Sequence, residues 1–509
     1  MTDEQPISRR AAREAAAPAA RRRSRQKPAA SSDGADAGAE KPRGIGALFA
    51  KHPTAWLTGA IAVVFVLLGT GAVLAGVSVG SAAAVVPTAT PTPDPPRDVP
   101  DGALVASRLR TCSIAGQATD PRLMALSGYV VRADTGEVLF DRAGTTPART
   151  ASVLKLLTAA AALTTLGPDF QIRTSVYPGS QAGSIVLVGR GDATLSRLPA
   201  GQESVYKGAP KLDSLAQQVL ANYDDEITNL VLDANYWSPA DKWDPAWKRS
   251  EQTQGYHSEV TALQVDGDRA NPGAQDSARS TDPIGRAGQW FLDALRANDT
   301  EGKVAGNVTI TTGSAVNTST VLGEVASQPL SVIIPHMLLV SDNTMAEMLA
   351  RITSKESALN GSAASLQQAI PSALTEYGIT GAALTIKDGS GLSEFNAVPP
   401  SIVTQLMIQV NAGAPNLDVV RAGLPVAGQS GTLASRFTGE NAVARGQVFA
   451  KTGWIDTAYT LGGLVQAADG TVFAFAFYAI GDGIQSNARA ALDTLTTGVF
   501  ICGDNLSNN

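Results

Sequence analysis

Residues 152–155 read SVLK and contain a serine and a lysine that could act together in nucleophilic catalysis. Three residues span nearly one helical turn, so Ser152 and Lys155 share one face of a helix. To accept the serine proton, the amine must be neutral, which requires a lysine pKa to fall from about 10.4 toward 7. Burial and a second cation can cause that fall, and the N–H groups of a helix start favour an oxyanion. The motif alone is weak, because Ser-x-x-Lys is frequent by chance.

A second motif, Ser341-Asp342-Asn343, stands just before a helical stretch that begins at Thr344. In an enzyme, Ser341 could relay a proton and Asn343 could bind a substrate amide. The alternative is that these residues only cap the helix, because all three types favour helix starts.

A third motif, Lys451-Thr452-Gly453, lies at the end of an apolar strand. Strand alternation places Lys451 and Gly453 on one face, where the glycine leaves room for a substrate beside the strand. Lys451 could hold a carboxylate and keep Lys155 neutral by like-charge repulsion. Alone, this motif could equally be a surface turn.

The three motifs occur in the order found in penicillin-interacting serine acyltransferases. With its flanking stretches the chain resembles the class C (type-4) low-molecular-mass penicillin-binding proteins, the D-alanyl-D-alanine carboxypeptidase/endopeptidase family. The resemblance covers about residues 125–500. The stretches that carry it are residues 151–163, 230–237, 256–266, 387–396, 424–437 and 450–453.

The resemblance implies a serine hydrolase of cell-wall stem peptides. Ser152 attacks the carbonyl of the penultimate D-alanine to form an acyl-enzyme, Lys155 takes the proton, and Ser341 protonates the leaving amine. β-Lactams should acylate the same serine, because their strained amide mimics the D-Ala–D-Ala bond. No cofactor or metal is implied. The implied catalytic set is Ser152, Lys155, Ser341, Asn343 and Lys451, and the substrate-binding residues are Thr452, Gly453 and Trp454.

Two departures from the family pattern stand out. The interval from Ser152 to Ser341 implies an inserted domain at 191–325, but it is several tens of residues shorter than is usual, so one inserted domain could be reduced or missing. Trp454 replaces a threonine whose hydroxyl can bind the terminal carboxylate of the substrate. The backbone N–H of Trp454 can still pair with that of Ser152 as an oxyanion hole.

Apolar patterns predict strands at both ends of the folded region and helices between them. This order favours an α+β domain whose sheet joins both ends of the chain. Together with the resemblance, it predicts a penicillin-binding/serine β-lactamase-like transpeptidase domain, with a helical subdomain, at 111–190 and 326–509. The predicted strands lie within 127–140 (a pair), 446–452, 461–467 and 471–480, and the predicted helices within 152–166, 335–353 and 486–499.

The N-terminal region predicts a membrane anchor. The uncharged apolar run from Leu57 to Gly80 spans about 36 Å as a helix, enough to cross a bilayer. We therefore expect a disordered basic cytoplasmic tail (1–54), a transmembrane helix (55–80) and a Pro-rich linker (81–110), with the catalytic domain on the cell-wall or periplasmic side. A cleaved signal sequence is the alternative. Arg9-Arg10 lies too far from the run for a usual twin-arginine signal.

Composition limits the partners and the metal sites that this protein can have. A net charge of −6 and a pI of about 5.3 argue against nucleic acid as the main partner. Two cysteines and three histidines exclude a zinc-finger array, and no spaced ligand cluster suggests a metal site. Outside the cell, Cys112 and Cys502 are expected to pair, with two buried free thiols as the alternative. His52, His257 and His336 are expected to play ordinary structural roles.

Two rival functions use the same motifs. A β-lactamase would need an efficient deacylating base and should turn over nitrocefin. A non-catalytic envelope scaffold with this fold should not be acylated at all.

Overall fold

The computed structural model of the protein describes residues 109–380 and 383–507. The predicted cytoplasmic tail, the transmembrane helix at 55–80 and nearly all of the linker at 81–110 lie outside the described residues. Within the described ranges, no helix is both long and apolar enough to span a bilayer.

Strands from both ends of the chain form the first sheet, in the order β2-β1-β10-β9-β8 with antiparallel neighbours throughout. The predicted α+β arrangement, with a sheet that joins both chain ends, is therefore confirmed. The nearly all-apolar segment 472–480 is the central strand, because its side chains meet buried layers on both faces. The strands are β1 (Ala125–Arg132), β2 (Val138–Arg142), β3 (Arg173–Pro178), β4 (Ser184–Val188), β5 (Ile227–Asp233), β6 (Val304–Thr312), β7 (Gly323–Ala326), β8 (Val448–Ile455), β9 (Ala458–Gln466) and β10 (Val472–Ile480).

A second sheet has the order β6-β5-β4-β3-β7 and mixes parallel with antiparallel pairs. It has its own apolar core, which includes Leu187, Leu230 and Phe291. Two of its strands, β3 and β4, precede residue 191, where the inserted domain was expected to begin. We therefore propose that the inserted unit, the part of the chain that builds this second sheet, runs from 173 to 326.

Helices surround the first sheet and flank the second. Helix α2 is buried along most of its length and packs against α7 and α8, because its alanines allow close helix contacts. The helices are α1 (Ala115–Ala118), α2 (Lys155–Leu166), α3 (Leu212–Asn222), α4 (Ser250–Gln254), α5 (Pro283–Asn298), α6 (Leu330–Val340), α7 (Asn343–Glu356), α8 (Leu366–Leu374), α9 (Pro400–Asn411), α10 (Asp418–Gly423) and α11 (Ala488–Cys502).

The helical pattern predicted over 335–353 is divided into α6 and α7. Ser341 ends α6 in the left-handed conformation, with φ of 62°. Asp342 then caps α7, and its carboxylate accepts a hydrogen bond from the N–H of Met345 at 3.0 Å. The chain thus turns sharply at the second motif, which brings Ser341 and Asn343 to the same opening.

Cys112 and Cys502 form a disulfide bond, with a Cα–Cα distance of 5.4 Å. The bond joins the segment before β1 to the end of α11. Backbone hydrogen bonds from Cys112 to Asn505, and from Ser507 to Cys112, reinforce the same junction. The two ends of the part of the chain that builds the first sheet are therefore tied together.

Candidate active site

The turn that carries Ser152, the nucleophile turn, packs against β8 and leads directly into α2. Ala151 has a φ of 44°, an uncommon conformation for a residue with a side chain. A short 3-10 turn, Ala151–Leu154, then leads into α2 and leaves Ser152 half-buried at the surface of the opening. Lys155, one turn later, is completely buried.

The Nζ atom of Lys155 has three oxygen partners. It lies 2.9 Å from Ser152 Oγ, 2.7 Å from Asn343 Oδ1 and 2.6 Å from the carbonyl oxygen of Ser390. The amide of Asn343 also donates through Nδ2 to the carbonyl of Tyr256 at 3.1 Å, which fixes its orientation. The first two predicted motifs therefore meet at one amine.

The third motif is part of β8 and lies next to the first two motifs. Lys451 is completely buried and donates to Ser341 Oγ at 2.8 Å. Gly453 lies against the nucleophile turn, where an added Cβ would approach Thr460 Oγ1 to 2.1 Å and the Ser152 nitrogen to 2.9 Å. Only glycine allows β8 to come this close to the nucleophile.

Thr452 and Trp454 point toward the same opening. Thr452 Oγ1 donates to Thr432 Oγ1 at 2.7 Å. Trp454 is half-buried, with its ring centroid 6.0 Å from that of Tyr459. The structure therefore brings together the predicted catalytic and substrate-binding residues.

A cavity of about 970 Å³ opens in front of Ser152. Arginines are prominent in its lining, beside acidic Asp276 and Asp342. Burial lowers the pKa of Arg279 to about 10, and repulsion from Arg269 adds to that effect, but the side chain still carries its charge at neutral pH. Arg269 pairs with Asp342 and Arg436 pairs with Asp493, but basic side chains still outnumber the acidic ones in the lining, which suits a ligand that carries carboxylates. The arginines are Arg269, Arg279, Arg436, Arg445 and Arg489.

The inserted unit holds the second motif by a buried network that sequence reasoning missed. Asp342 Oδ2 accepts from Arg269 Nη2 at 2.8 Å, from Tyr206 Oη at 3.0 Å and from Gln275 Nε2 at 3.3 Å. Burial alone would raise the pKa of Asp342, but the charge of Arg269 outweighs it and holds the pKa well below its usual range. These partners lie far from the motif in sequence, so no local signal marks them.

A second missed feature is the buried loop 388–391, which carries the Ser390 carbonyl. The sequence of this loop helped to carry the family resemblance, but no function had been attached to it. Glu347, on α7, accepts hydrogen bonds from the backbone of Gly389 and Ser390. The loop thus belongs to the surroundings of Lys155.

The two histidines that the structure describes contact aromatic rings. His257 lies against Trp247, with ring centroids 4.4 Å apart, and His336 lies 5.6 Å from the ring of Tyr206. Burial lowers the pKa of His336. His52 lies outside the described residues. In the ranges that the structure describes, no three histidine, cysteine, aspartate or glutamate side chains are grouped as metal ligands.

The arrangement can perform acyl transfer. A serine hydroxyl beside a buried amine provides a nucleophile and its base. A second hydroxyl, bonded to a second buried amine, can return a proton to a leaving group.

Comparison with known proteins agrees with this chemistry. The family described as D-Ala-D-Ala carboxypeptidase 3 (S13) matches residues 111–279 and 268–499. A carboxypeptidase DacB from Mycolicibacterium smegmatis is 32% identical over 456 residues, which cover 87% of this chain and 95% of that protein.

Two crystal structures of penicillin binding protein 4 (dacB) from Haemophilus influenzae share the fold at 20% identity. One has a TM-score of 0.63 and covers 76% of this chain and 99% of the other. The second is a complex with a β-lactam, with a TM-score of 0.59 and coverage of 76% and 98%.

Proposed function

Because the chain belongs to the D-Ala-D-Ala carboxypeptidase 3 (S13) family, it is a serine-type D-Ala-D-Ala carboxypeptidase, and we propose how its residues divide the reaction. It is a class C low-molecular-mass penicillin-binding protein. Ser152 attacks the carbonyl of the penultimate D-alanine and forms an ester with the shortened peptide. The observation that carries this assignment is the position of the Lys155 amine, 2.9 Å from Ser152 Oγ.

Lys155 takes the proton from Ser152 as the new bond forms. Ser341, bonded to Lys451 at 2.8 Å, relays this proton to the departing D-alanine amine, which leaves Lys155 neutral and the Ser341 hydroxyl intact. Water then hydrolyses the ester. The N–H groups of Ser152 and Trp454 stabilise the oxyanion in both steps.

The substrate is a peptidoglycan stem peptide, and β-lactams acylate the same serine. The carboxylates of such peptides match the arginine-rich lining of the cavity. Thr452 Oγ1 donates to Thr432 Oγ1 at 2.7 Å, so the hydroxyl proton of Thr432 can go to one of these carboxylates beside β8.

We expect the affinity for the terminal carboxylate of the substrate to be lower than in relatives with threonine at this position, because the side chain of Trp454 lacks that hydroxyl. One charge-assisted hydrogen bond is worth about 1.5–3 kcal/mol, so Trp454→Thr should acylate about tenfold faster or more. Acylation rates with a penicillin and with a D-Ala-D-Ala peptide measure this. Equal rates in the two proteins would count against the idea.

The enzyme is anchored in the cell membrane by one helix at 55–80, with its N-terminus in the cytoplasm. The uncharged run from Leu57 to Gly80 and the basic residues before it support this placement. Full-length protein should sediment with membranes and resist extraction by salt. A soluble product that starts after residue 80 would show cleavage instead.

Covalent labelling tests the catalytic assignment. Full-length protein and Ser152→Ala, both in detergent, are incubated with a fluorescent penicillin and examined by intact mass. We expect stable labelling of the native protein alone. In a separate assay without penicillin, the native protein should release D-alanine from stem peptides. Labelling of folded Ser152→Ala, or a folded native protein that is never labelled, would overturn the acyl-enzyme assignment. Rapid turnover of nitrocefin would favour a β-lactamase.

A further inference from the structure

The orientation of the Lys155 amine depends on two carbonyl groups. A neutral amine has two N–H donors and one lone pair. Asn343 Oδ1 and the Ser390 carbonyl oxygen can only accept, at 2.7 and 2.6 Å from Nζ. When both take an N–H, the lone pair is left facing the hydroxyl of Ser152. The position of the Ser390 carbonyl therefore helps to decide whether the base is aimed at its proton.

The Ser390 carbonyl lies in a loop that is tightly held beneath the nucleophile. At Gly391, which has a φ of 83°, an added Cβ would lie 1.9 Å from the carbonyl oxygen of Ala151. Thr158, on α2, donates to the carbonyl oxygen of Gly389 at 2.7 Å. Asp388 accepts from the backbone of Gly391 at 2.7 Å and anchors the loop at its start.

Glu347 supports the two peptide groups on either side of Gly389, directly before the residue that carries the carbonyl, Ser390. Its Oε1 accepts from the N–H of Ser390 at 2.7 Å and from that of Gly389 at 3.0 Å. Its Oε2 is 3.1 Å from the same Gly389 nitrogen. Glu347 follows Asn343 by one turn of α7, so both lie on one helix face. A single helix thus supplies one acceptor for Lys155 directly and holds the other through the loop.

The burial of Glu347 is costly. The side chain is completely buried. Burial, and then the nearby charge of Asp388, raises the pKa of Glu347 to about 7, while Arg351 partly offsets this effect. An acid kept under such conditions is more typical of a functional centre than of a core chosen for stability.

We propose that Glu347 is a positioning residue for the base Lys155, and that it acts by holding the Ser390 carbonyl in place to receive an N–H of the amine. The inference rests on the proposed function of Ser152 and Lys155. It predicts that Glu347 matters for the rate of acylation and little for the binding that precedes it.

The test separates these two steps in the full-length protein with a chromogenic penicillin. Glu347→Met keeps the length of the side chain but removes its acceptors. We expect the acylation rate constant to fall at least about thirtyfold, while the dissociation constant of the non-covalent complex changes less than about threefold. Glu347→Gln keeps one carbonyl oxygen for both N–H groups, and it should recover to within about fivefold of the native rate.

Asp192→Asn is the matched control, because Asp192 is also a buried carboxylate that accepts a backbone N–H, from Thr194 at 2.7 Å. Its acylation rate should stay within about twofold of native. A folded Glu347→Met with the native rate would overturn the proposal, as would a Gln variant as slow as the Met variant.

Thr158→Val provides a second route if Glu347→Met does not fold. It removes another support of the loop, the hydrogen bond to the Gly389 carbonyl, and it should slow acylation by about three- to tenfold without a change in binding. An unchanged rate in that variant would then overturn the proposal. Labelling of Ser152→Ala would instead break the proposed function itself, so the two failures are distinguishable.

Discussion

The two motifs that meet at Lys155 are held in place by different parts of the molecule. The loop 388–391, beside the first motif, is supported by Glu347 and Thr158. Both belong to the part of the chain outside the inserted unit, which we call the peptidase part. The second motif is held from the inserted unit, whose Arg269 and Tyr206 bind Asp342. The inserted unit is therefore part of the architecture of the active site, and its loss would release the second motif.

The two buried acids also differ in their electrostatics. Asp342 has a cation at 2.8 Å, and its pKa lies well below the usual range. Glu347 is buried near another acid, and its pKa rises to about 7. Asp342 is thus a fixed charge at any physiological pH, whereas Glu347 can gain or lose a proton near neutrality. Because Asp342 keeps its charge, the anchor of the second motif should depend mainly on the cation beside it.

Arg269→Met should have the largest effect. It leaves the buried carboxylate of Asp342 without its cation, and the loss of one partner of a buried pair costs about 3–5 kcal/mol. Denaturant unfolding of the full-length protein measures this cost. The folded variant should also react slowly with penicillin, because Ser341 and Asn343 are the direct neighbours of Asp342 in the chain.

Arg173→Met is the matched control for that variant. Arg173 pairs with Glu324 within the inserted unit, but 62% of its side chain is exposed. Solvent screens such a pair, so less than about 1 kcal/mol should be lost. Equal losses in the two arginine variants would contradict the special role of the Arg269–Asp342 pair.

Removal of the disulfide should have the next largest effect, and on stability alone. Replacement of both Cys112 and Cys502 by serine frees the ends of the peptidase part and should cost about 2–4 kcal/mol. The acylation rate should stay within about twofold at a temperature where the variant is folded, because the bond does not anchor either motif. Thermal unfolding and penicillin labelling are measured side by side; a large loss of rate in the folded variant would show that the ends of the chain help to shape the site.

Apart from the Arg173→Met control, Tyr206→Phe should have the smallest effect. It deletes one hydroxyl that bonds both Asp342 and Arg269 but leaves their ion pair intact. A buried hydrogen bond of this kind is worth about 1–2 kcal/mol. Denaturant unfolding measures the loss. If it equals that of Arg269→Met, the hydroxyl rather than the charge is the main support of the second motif.

Much of the peptidase part could be predicted from local patterns. The alternation around residues 133–136 indicated the first hairpin, and the apolar run at 471–480 indicated the central strand, because burial on both faces requires an apolar segment. The catalytic and substrate-binding residues were predicted from short motifs as well, and the family resemblance that these motifs carry supplied their roles.

The inserted unit was harder to delimit. None of the strands β3 to β7 was predicted, and in their sheet β3 and β4 join strands that follow much later in the chain. A strand is assigned to a sheet by its partners, and pairing over such distances leaves no mark on a short window of sequence.

The sequence by itself indicated the reaction of this protein, because three short motifs in a fixed order, with their flanking stretches, carry a resemblance to a family whose reaction is known. It also determined the fold class, through hydrophobic periodicity. Only the tertiary structure decided how those groups are held: that Ser390 presents its carbonyl to Lys155, that Glu347 supports it, and that Arg269 neutralises Asp342. These contacts join residues far apart in the chain, and their energies depend on burial, which exists only once the chain has folded.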